Sequence, residues 1–373
     1  MKVCVLKERS PGERRVALVP ETVAKLAAKK IEVCVESGCG DEAGFLDAAY
    51  QAAGAAVVSS AAEALGASDA LACVQRPADD TAALVRAGMI VIGVMNPAAS
   101  PSNSALARNL ADRKATVLAL ERMPRITRAQ AMDVLSSQSN LAGYKAVIIA
   151  ASSLGRIFPM MMTPAGTLSA TKALIVGAGV AGLQAIATAR RLGAIVTAYD
   201  VRPAVKEQVQ SLGARFLDIE VDEKDTQDTG GYARAVSEAT LARQAAALHN
   251  AAIEMDVIVT TALVPGKAAP RLLLAKTVAA MRPGSVIVDL AAETGGNCEL
   301  TEPGATVARH GVTIAGPLNV AASLPFHASQ LFSRNIASFL GEFVKDGVPE
   351  IDLDNEILAA TCIAHAGELR TGP

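Results

Sequence analysis

Short apolar runs alternate with segments of helical period along most of the chain. Lys2–Leu6, Ile31–Val35, Ala55–Val58, Ala70–Gln75, Met89–Met95 and Ala115–Leu120 read as strands. Helices are predicted at Glu21–Lys29, just after Pro20, at Phe45–Ala53 ending on Gly54, at Thr81–Ala87 and at Ser102–Arg113. Such alternation predicts a parallel sheet covered by helices. The pattern then changes: Pro124 and Arg125 fall in a loop, Thr127 can cap a helix, and a helical pattern runs from Arg128 to about Leu154 with a break near Ser139–Asn140.

A second alternation follows. Ala173–Val176 is strand-like, a helix runs through Arg191 to a cap at Gly193, and a second strand ends in Asp200. Then come a helix at Ala204–Leu212, strands at Arg215–Ile219 and Asp256–Thr260, a helix near Arg271–Met281, and strands at Ser285–Leu290 and Val312–Ala315. This is a six-strand Rossmann succession with a long insertion between the third and fourth strands. The insertion opens with DIEVDEKDTQDTGGYARA, which is acidic and lacks apolar periodicity. It reads either as a solvated loop or as a lid carrying Tyr232, hinged at Gly230 and Gly231. In the tail, HASQLFSRNIASFLGEFVKDG, residues Leu331, Phe332, Ile336, Phe339 and Phe343 recur at helical spacing and are expected in the core. The expected fold is α/β, with two Rossmann-like doubly wound parallel-sheet domains and a cofactor cleft between them. The first would span 1–139, completed by 321–373, and the second 140–320.

The chemistry concentrates in TKALIVGAGVAGLQAIATARRLGAIVTAYD, Thr171–Asp200. Its Gly-x-Gly-x-x-Gly turn has a strand before it and a helix after it. Gly177 permits the tight turn, Gly179 lets backbone approach a pyrophosphate, and Gly182 allows close helix–strand packing. The helix N-terminus offers unpaired N–H groups and partial positive charge to phosphates. Asp200, 18 residues beyond Gly182, can accept hydrogen bonds from adenosine ribose hydroxyls and would repel a 2′-phosphate, favouring NAD(H) over NADP(H). Arg202 pulls the other way, because arginine is the usual partner of a 2′-phosphate. A glycine-rich β–α turn that binds nothing is the plain alternative. The first domain has no such fingerprint.

Composition narrows the function. With 35 Lys and Arg against 37 Asp and Glu, the net charge is −2, and no basic patch is evident, so nucleic acid is not expected as a partner. The start MKVCVLKERSPGERR lacks a signal-peptide core, and no run reaches the roughly 18 apolar residues of a membrane span. Cys4, Cys34, Cys39, Cys73, Cys298 and Cys362 form no CxxC pair, and the four histidines His249, His310, His327 and His365 lack ligand spacing. A metal is not expected, and reduced cytoplasmic thiols are.

Six stretches together resemble the alanine dehydrogenase and pyridine nucleotide transhydrogenase α-subunit family. They are KERSPGERRVALVP (Lys7–Pro20), VQRP (Val74–Pro77), PRITRAQAMDVLSSQSNLAGYKAV (Pro124–Val147), GAGVAGLQAIATARRLGA (Gly177–Ala194), TTALVPGKAAP (Thr260–Pro270) and VDLAAETGGNCE (Val288–Glu299). RITRAQAMD and SSQSNLAGY resemble the transhydrogenase branch. The resemblance implies that Arg125, Gln130 and Asp133 hold the nicotinamide end of the cofactor, with Ser136 behind them and Tyr232 on a mobile loop. It also places Gly177, Gly179, Val180, Ala181, Gly182, Asp200, Val201, Arg202, Gly231, Ala262 and Leu263 around the nucleotide. The residue types suit these roles, since a Gln130 amide can pair with a carboxamide while Arg125 and Asp133 can fix each other or a phosphate. A bland reading stands beside this one: Thr127 and Gln130 as a capping box, and Arg125 with Asp133 as a surface pair.

Chemistry separates the two branches. Alanine dehydrogenation needs a cation for the substrate carboxylate and a proton carrier, and the family supplies an arginine, a lysine, a histidine and an aspartate. Here Arg15 keeps the arginine, Gln75 stands at the lysine position, no histidine precedes His249, and Glu293 stands at the aspartate position. Hydride transfer between two nicotinamides moves no proton to the reacting carbon, and Arg15 is then a structural leftover. The resemblance therefore implies a proton-translocating (Si-specific) NAD(P)⁺ transhydrogenase component. It would pass hydride from NADH to NADP(H) held on a β component, beside membrane-spanning subunits, as a homodimer peripheral to the cytoplasmic face of the inner membrane. An amino-acid dehydrogenase and a non-catalytic NAD(H)-binding module are the alternatives.

Overall fold

Runs of valine, isoleucine and alanine become strands whose two faces are both buried. A computed structural model describes residues 1–219, 238–264 and 267–370. The chain forms two compact units, Met1–Gln138 with Ala321–Pro373, and Ser139–Val320.

The first unit begins with β1 (Lys2–Val5), α1 (Pro20–Ala27), β2 (Glu32–Glu36), α2 (Asp47–Ala52), β3 (Ala56–Val58) and α3 (Ala61–Gly66). It continues with β4 (Ala70–Gln75), α4 (Asp79–Ala82), β5 (Ile90–Val94), α5 (Pro101–Asp112) and β6 (Thr116–Ala119). A 3₁₀ turn, Thr127–Met132, precedes α6 (Val134–Ser153), along which the chain passes into the second unit. There follow the hairpin β7 (Met161–Thr163) and β8 (Gly166–Leu168), then β9 (Lys172–Val176), α7 (Val180–Arg191), β10 (Ile195–Tyr199), α8 (Lys206–Ser211) and β11 (Arg215–Phe216). The unit is completed by α9 (Glu238–Ala252), β12 (Val257–Thr260), α10 (Ala275–Ala280), β13 (Val286–Asp289), β14 (Thr306–Arg309) and β15 (Val312–Ala315). The returning chain adds α11 (Pro325–Leu340), β16 (Val344–Lys345), β17 (Val348–Pro349), α12 (Glu356–Thr361), β18 (Cys362–His365) and β19 (Glu368–Leu369) to the first unit.

Among the described residues the first unit's sheet runs β19-β18-β6-β5-β4-β1-β2-β3 and the second's β11-β10-β9-β12-β13-β15-β14. Both are Rossmann-like, parallel except at one edge each, where β18 and β19 or β14 run antiparallel. In each, the strand order reverses beside the first strand, between β1 and β4 and between β9 and β12. At such a reversal the loops leave in opposite directions and open a crevice at the strands' carboxyl ends.

Period-two burial sorts each strand between two cores. In β9, Ala173 and Ile175 join one apolar cluster with Ala146, Val147 and Ala150 of α6, while Leu174 and Val176 join the other with Leu248 and Ile314. In β1, Val3 and Val5 face the cluster containing Phe332, Ile336 and Phe339 of α11, and Cys4 faces the opposite one. Each such Val, Leu, Ile or Phe contributes about 1.5–3 kcal/mol of burial.

The structure departs from the sequence expectation at four places. Helix α6 is unbroken through Ser139–Asn140, and the interruption lies instead at Asp133, whose extended backbone separates the 3₁₀ turn from the helix. The second sheet has seven strands, not six, because His310 and Gly311, at φ of 51° and 79°, fold β14 back on β15. The tail helix ends at Leu340; Phe343 is still buried, but it lies beyond the helix, just before β16. Finally, β18 and β19 extend the first sheet at a place where the sequence pattern announces no strand.

Helices α6 and α7 touch where neither has a side chain. A Cβ built on Gly143 would lie 2.0 Å from the Ala181 carbonyl oxygen, so Gly143→Ala must push the two helices apart. Its expected cost is about 1–3 kcal/mol, read as a lower thermal midpoint. An unchanged midpoint would refute the contact.

Candidate functional site

In the second unit, the turn from β9 into α7 is built from forced glycines. Gly177 sits at φ +97°, and a Cβ on it would meet Thr261 Oγ1 at 2.5 Å. A Cβ on Gly182 would lie 1.8 Å from the Gly177 carbonyl oxygen, so the helix can approach the turn only without a side chain there. Gly179 differs: it caps α7 with φ −76° and ψ −168°, and a Cβ on it would meet nothing within 4 Å. No side chain caps α7, so its first N–H groups face the open space beside Gly179. That space, bordered by free amides and a dipole's positive end, fits a pyrophosphate.

Asp200, at the tip of β10, keeps its side chain only 6% exposed. Its Oδ1 accepts from the backbone N–H of Arg202 and from Arg202 Nε, both at 2.9 Å. Its Oδ2 accepts from Ala178 N–H at 2.7 Å and from Arg202 Nη2 at 2.9 Å. A carboxylate has about four lone-pair positions, and all are taken. Asp200 thus fixes the glycine turn through Ala178 and neutralises Arg202, and a ribose hydroxyl reaches it only by displacing the guanidinium. Val201 is half-buried next to it, and Val180 lies 42% exposed on the first turn of α7.

Across the strand reversal, the segment after β12 carries Thr261, Ala262 and Leu263. Thr261 Oγ1 donates to the Gly177 carbonyl at 3.1 Å. Asn297, fully buried, accepts from Ala262 N–H at 3.0 Å and donates to the Ala262 and Pro270 carbonyls at 2.9 Å each. Asp289, also fully buried, accepts from Thr260 Oγ1, Ala291 N–H, Cys298 N–H and Thr301 Oγ1 at 2.7–3.0 Å. These two residues hold the Ala262 loop from behind. The sequence offers little sign of them beyond their place in VDLAAETGGNCE, since an asparagine after two glycines reads as a turn residue. Leu263 is 54% exposed.

In the first unit, Arg125 and Gln130 are exposed on and before the 3₁₀ turn Thr127–Met132. Ala129 and Met132 of that turn are buried in the core. The expected Thr127 capping box does not form: the turn follows Ile126 without a side-chain cap. Asp133 takes the capping role for α6, accepting from Ser136 N–H at 2.9 Å and Ser136 Oγ at 2.5 Å. Tyr232 and Gly231, with the proposed hinge and lid, lie outside the described residues.

The loop after β1 holds a second polar group. Arg15, 6% exposed, makes a forked pair with Glu13, Nε to Oε1 at 2.7 Å and Nη2 to Oε2 at 2.6 Å. Its Nη1 donates to Gln138 Oε1 at 2.9 Å, and Gln75 Nε2 donates to Glu13 at 3.2 Å. Nearby, burial pushes the Glu8 carboxyl up to about 8, against backbone N–H donation from Val74 and Gln75 and with added repulsion from Glu13. Glu293, the counterpart of the dehydrogenase aspartate, accepts from Asn319 N–H at 2.6 Å. Among the described residues no group of His, Cys, Asp and Glu gathers as a metal site, and no helix is long and apolar enough to cross a membrane.

Two family models match, "Alanine dehydrogenase/PNT, N-terminal domain" over residues 4–142 and "Alanine dehydrogenase/PNT, C-terminal domain" over 146–372. The chain belongs to the alanine dehydrogenase/PNT family. It is 47% identical over 377 residues to an NAD(P) transhydrogenase subunit alpha chain of Rhodospirillum rubrum, covering 99% of this chain and 97% of that one. A crystal structure of transhydrogenase from Sinorhizobium meliloti superposes with a TM-score of 0.89 at 44% identity, covering 99% and 100% of the two chains. The alanine dehydrogenase of Halomonas elongata is 29% identical over 377 residues, covering 99% and 94%. Family membership fits the Rossmann-like fold and a pyridine nucleotide as ligand. Within the family, the identity is higher on the transhydrogenase side.

Two outcomes follow from this geometry. Gly179→Ala should leave the thermal midpoint within about 1 kcal/mol of the parent, since nothing blocks the methyl, yet weaken NADH binding at least about tenfold, or about 1.4 kcal/mol. Unchanged affinity in a titration would show that no ligand approaches there. Glu8 supplies a pH test. Its folded pKa of about 8 lies above the ordinary 4.5, so its stabilising share is complete below the unfolded value and is lost as pH rises through about 8. Glu8→Gln, neutral throughout, should gain melting temperature over the parent by a margin that widens from about pH 5 to about pH 8. A constant margin would contradict a protonated Glu8.

Proposed function

We propose that this chain is the NAD(H)-binding component of a proton-translocating, Si-specific NAD(P)⁺ transhydrogenase. It exchanges hydride with NADP(H) held by a separate β component and is active only with that partner. The observation that carries the reading is the α7 N-terminus, uncapped and open at Gly179, together with 47% identity to a transhydrogenase α subunit along almost the whole chain. The α7 amides would receive the pyrophosphate. Ala262 and Leu263 would flank the nucleotide, with Val180, Ala181, Val201 and Gly231. Arg202, pinned by both oxygens of Asp200, is not spare for a 2′-phosphate, which supports NAD(H) over NADP(H).

When bound, the nicotinamide supplies the hydride chemistry. The residues proposed for its end are Arg125, Gln130, Asp133, Ser136 and Tyr232. Their work is to orient and to exclude water: bringing two rings to about 3–3.5 Å needs no acid or base. The same view explains the Glu13–Arg15 pair. With every guanidinium nitrogen of Arg15 bonded to Glu13 or Gln138, no cation is spare for an amino-acid carboxylate, which counts against the dehydrogenase alternative.

Association with membrane-spanning subunits at the cytoplasmic face, and coupling to proton translocation, belong to the same proposal. A homodimer is supported by the β7–β8 hairpin, which leaves Met160, Met161, Met162 and Leu168 exposed at 62%, 44%, 76% and 51%. Hairpins this apolar are normally covered.

The deciding experiment is hydride transfer from NADH to an NADP⁺ analogue by the purified chain, with and without an NADP(H)-binding transhydrogenase component. Transfer only in its presence is expected. Substrate-dependent NAD⁺ reduction by the chain alone would establish a dehydrogenase, and NADH binding without transfer a binding module. Gln130→Asn is expected to slow transfer at least about tenfold while NADH affinity stays within about threefold. Equal losses of both would mean that Gln130 only binds.

A further inference from the structure

A continuous line of hydrogen bonds inside the first unit leads from the Glu13–Arg15 pair to the turn that bears Gln130. Arg15 Nη1 donates to Gln138 Oε1 at 2.9 Å, and Gln138 Nε2 donates to Ser137 Oγ at 3.2 Å. Ser137 Oγ donates to Asn335 Oδ1 at 2.7 Å, and Asn335 Nδ2 donates to the Ala131 carbonyl at 2.8 Å. Ala131 directly follows Gln130 in the chain. The amide orientation is forced, because the reverse would set Oδ1 against the Ala131 carbonyl, two acceptors face to face.

Helix α11 makes these contacts from an otherwise apolar face. Phe332, Ile336 and Phe339 are fully buried there, and so are Ser329 and Ser333, while Asn335 is 8% exposed. Each of the three polar residues holds backbone outside its own helix. Ser329 accepts from Val16 N–H at 3.0 Å, Ser333 from Val19 N–H at 3.0 Å, and Asn335 grips the Gln130 turn. A core helix keeps buried polar groups at a cost unless they are satisfied, and here their partners are the loop after β1 and the turn before α6. The same turn is held by buried Ala129 and Met132 and by the Asp133 cap. Gln130 is thus an exposed side chain on a backbone fixed from three sides.

We propose that Asn335 is a positioning residue for Gln130, with Ser137, Gln138 and Arg15 as its support. This rests on the reading of Gln130 given above. Arg15 then has a present use: it anchors the far end of the line. The residue touches no cofactor; it sets where Gln130 can reach, and a shift of about 1 Å at such a group costs about 100-fold in rate.

The test is Asn335→Asp, which keeps the shape and the acceptor for Ser137 but removes the donor to Ala131. In the free chain, amide hydrogen exchange across Thr127–Met132 should speed up while the strands of the same sheet keep their protection. With the NADP(H)-binding component, hydride transfer should fall about tenfold or more while NADH affinity stays within about threefold. In a Gln130→Ala background the same substitution should change the rate by less than about threefold, since coupled residues are not additive. Ser137→Ala and Ser137→Thr are a second pair, the first expected to repeat the loss and the second to restore the rate. Exchange and rate both unchanged, or fully additive losses with Gln130→Ala, would overturn the positioning role alone. A parent protein that transfers no hydride would overturn the reading of the activity, and the positioning role with it.

Discussion

Backbone meets backbone at the start of α7, and the second unit is arranged around that approach. The helix comes so near the preceding turn that Gly182 lies against the Gly177 carbonyl and Gly143 of α6 lies against that of Ala181. Atoms cannot interpenetrate, so only glycine is tolerated at these points. The approach has a consequence for charge. It brings the uncapped amide end of a 12-residue helix to the crevice where the strand order reverses, and an anion there is met by N–H groups whose position was settled by packing. Gly179 alone is glycine for the sake of the space outside.

Around this frame, buried polar groups serve as fasteners. Asp289 collects four donors and Asn297 joins the Ala262 loop to Pro270, each nearly or wholly shielded from water. An unsatisfied buried carboxylate or amide costs several kcal/mol or so, whereas a satisfied one is rigid. Asp200 follows the same rule with a cation included, and its pairing with Arg202 decides what that arginine can still bind.

The first unit repeats the architecture with different contents. At its strand reversal it has no glycine turn; the loop after β1 carries Glu13 and Arg15 locked together, with Gln75 and Gln138 in attendance. The pair is neutral as a whole and buried, which suits a structural anchor better than a receptor for a charged substrate. One family can therefore hold two chemistries: the same loop positions either present a cation or close on it.

The chain's local patterns were enough for the alternation of strands and helices, the glycine fingerprint, Asp200, and the apolar face of α11, because period and backbone conformation are short-range properties. Residue types alone left Gln130 and Arg125 open between a site and a plain helix start; family likeness supplied the preference. Tertiary structure decided what depends on distant partners. The break before α6 falls at Asp133 because its carboxylate finds Ser136, β14 exists because His310 and Gly311 fold it against β15, and Arg202 is occupied because Asp200 lies within reach. Gly143, Asn297 and Asn335 carry no motif of their own. Their importance comes from atoms that are 38, 35 and 204 residues away in sequence, at Ala181, Ala262 and Ala131, and only folding brings those together.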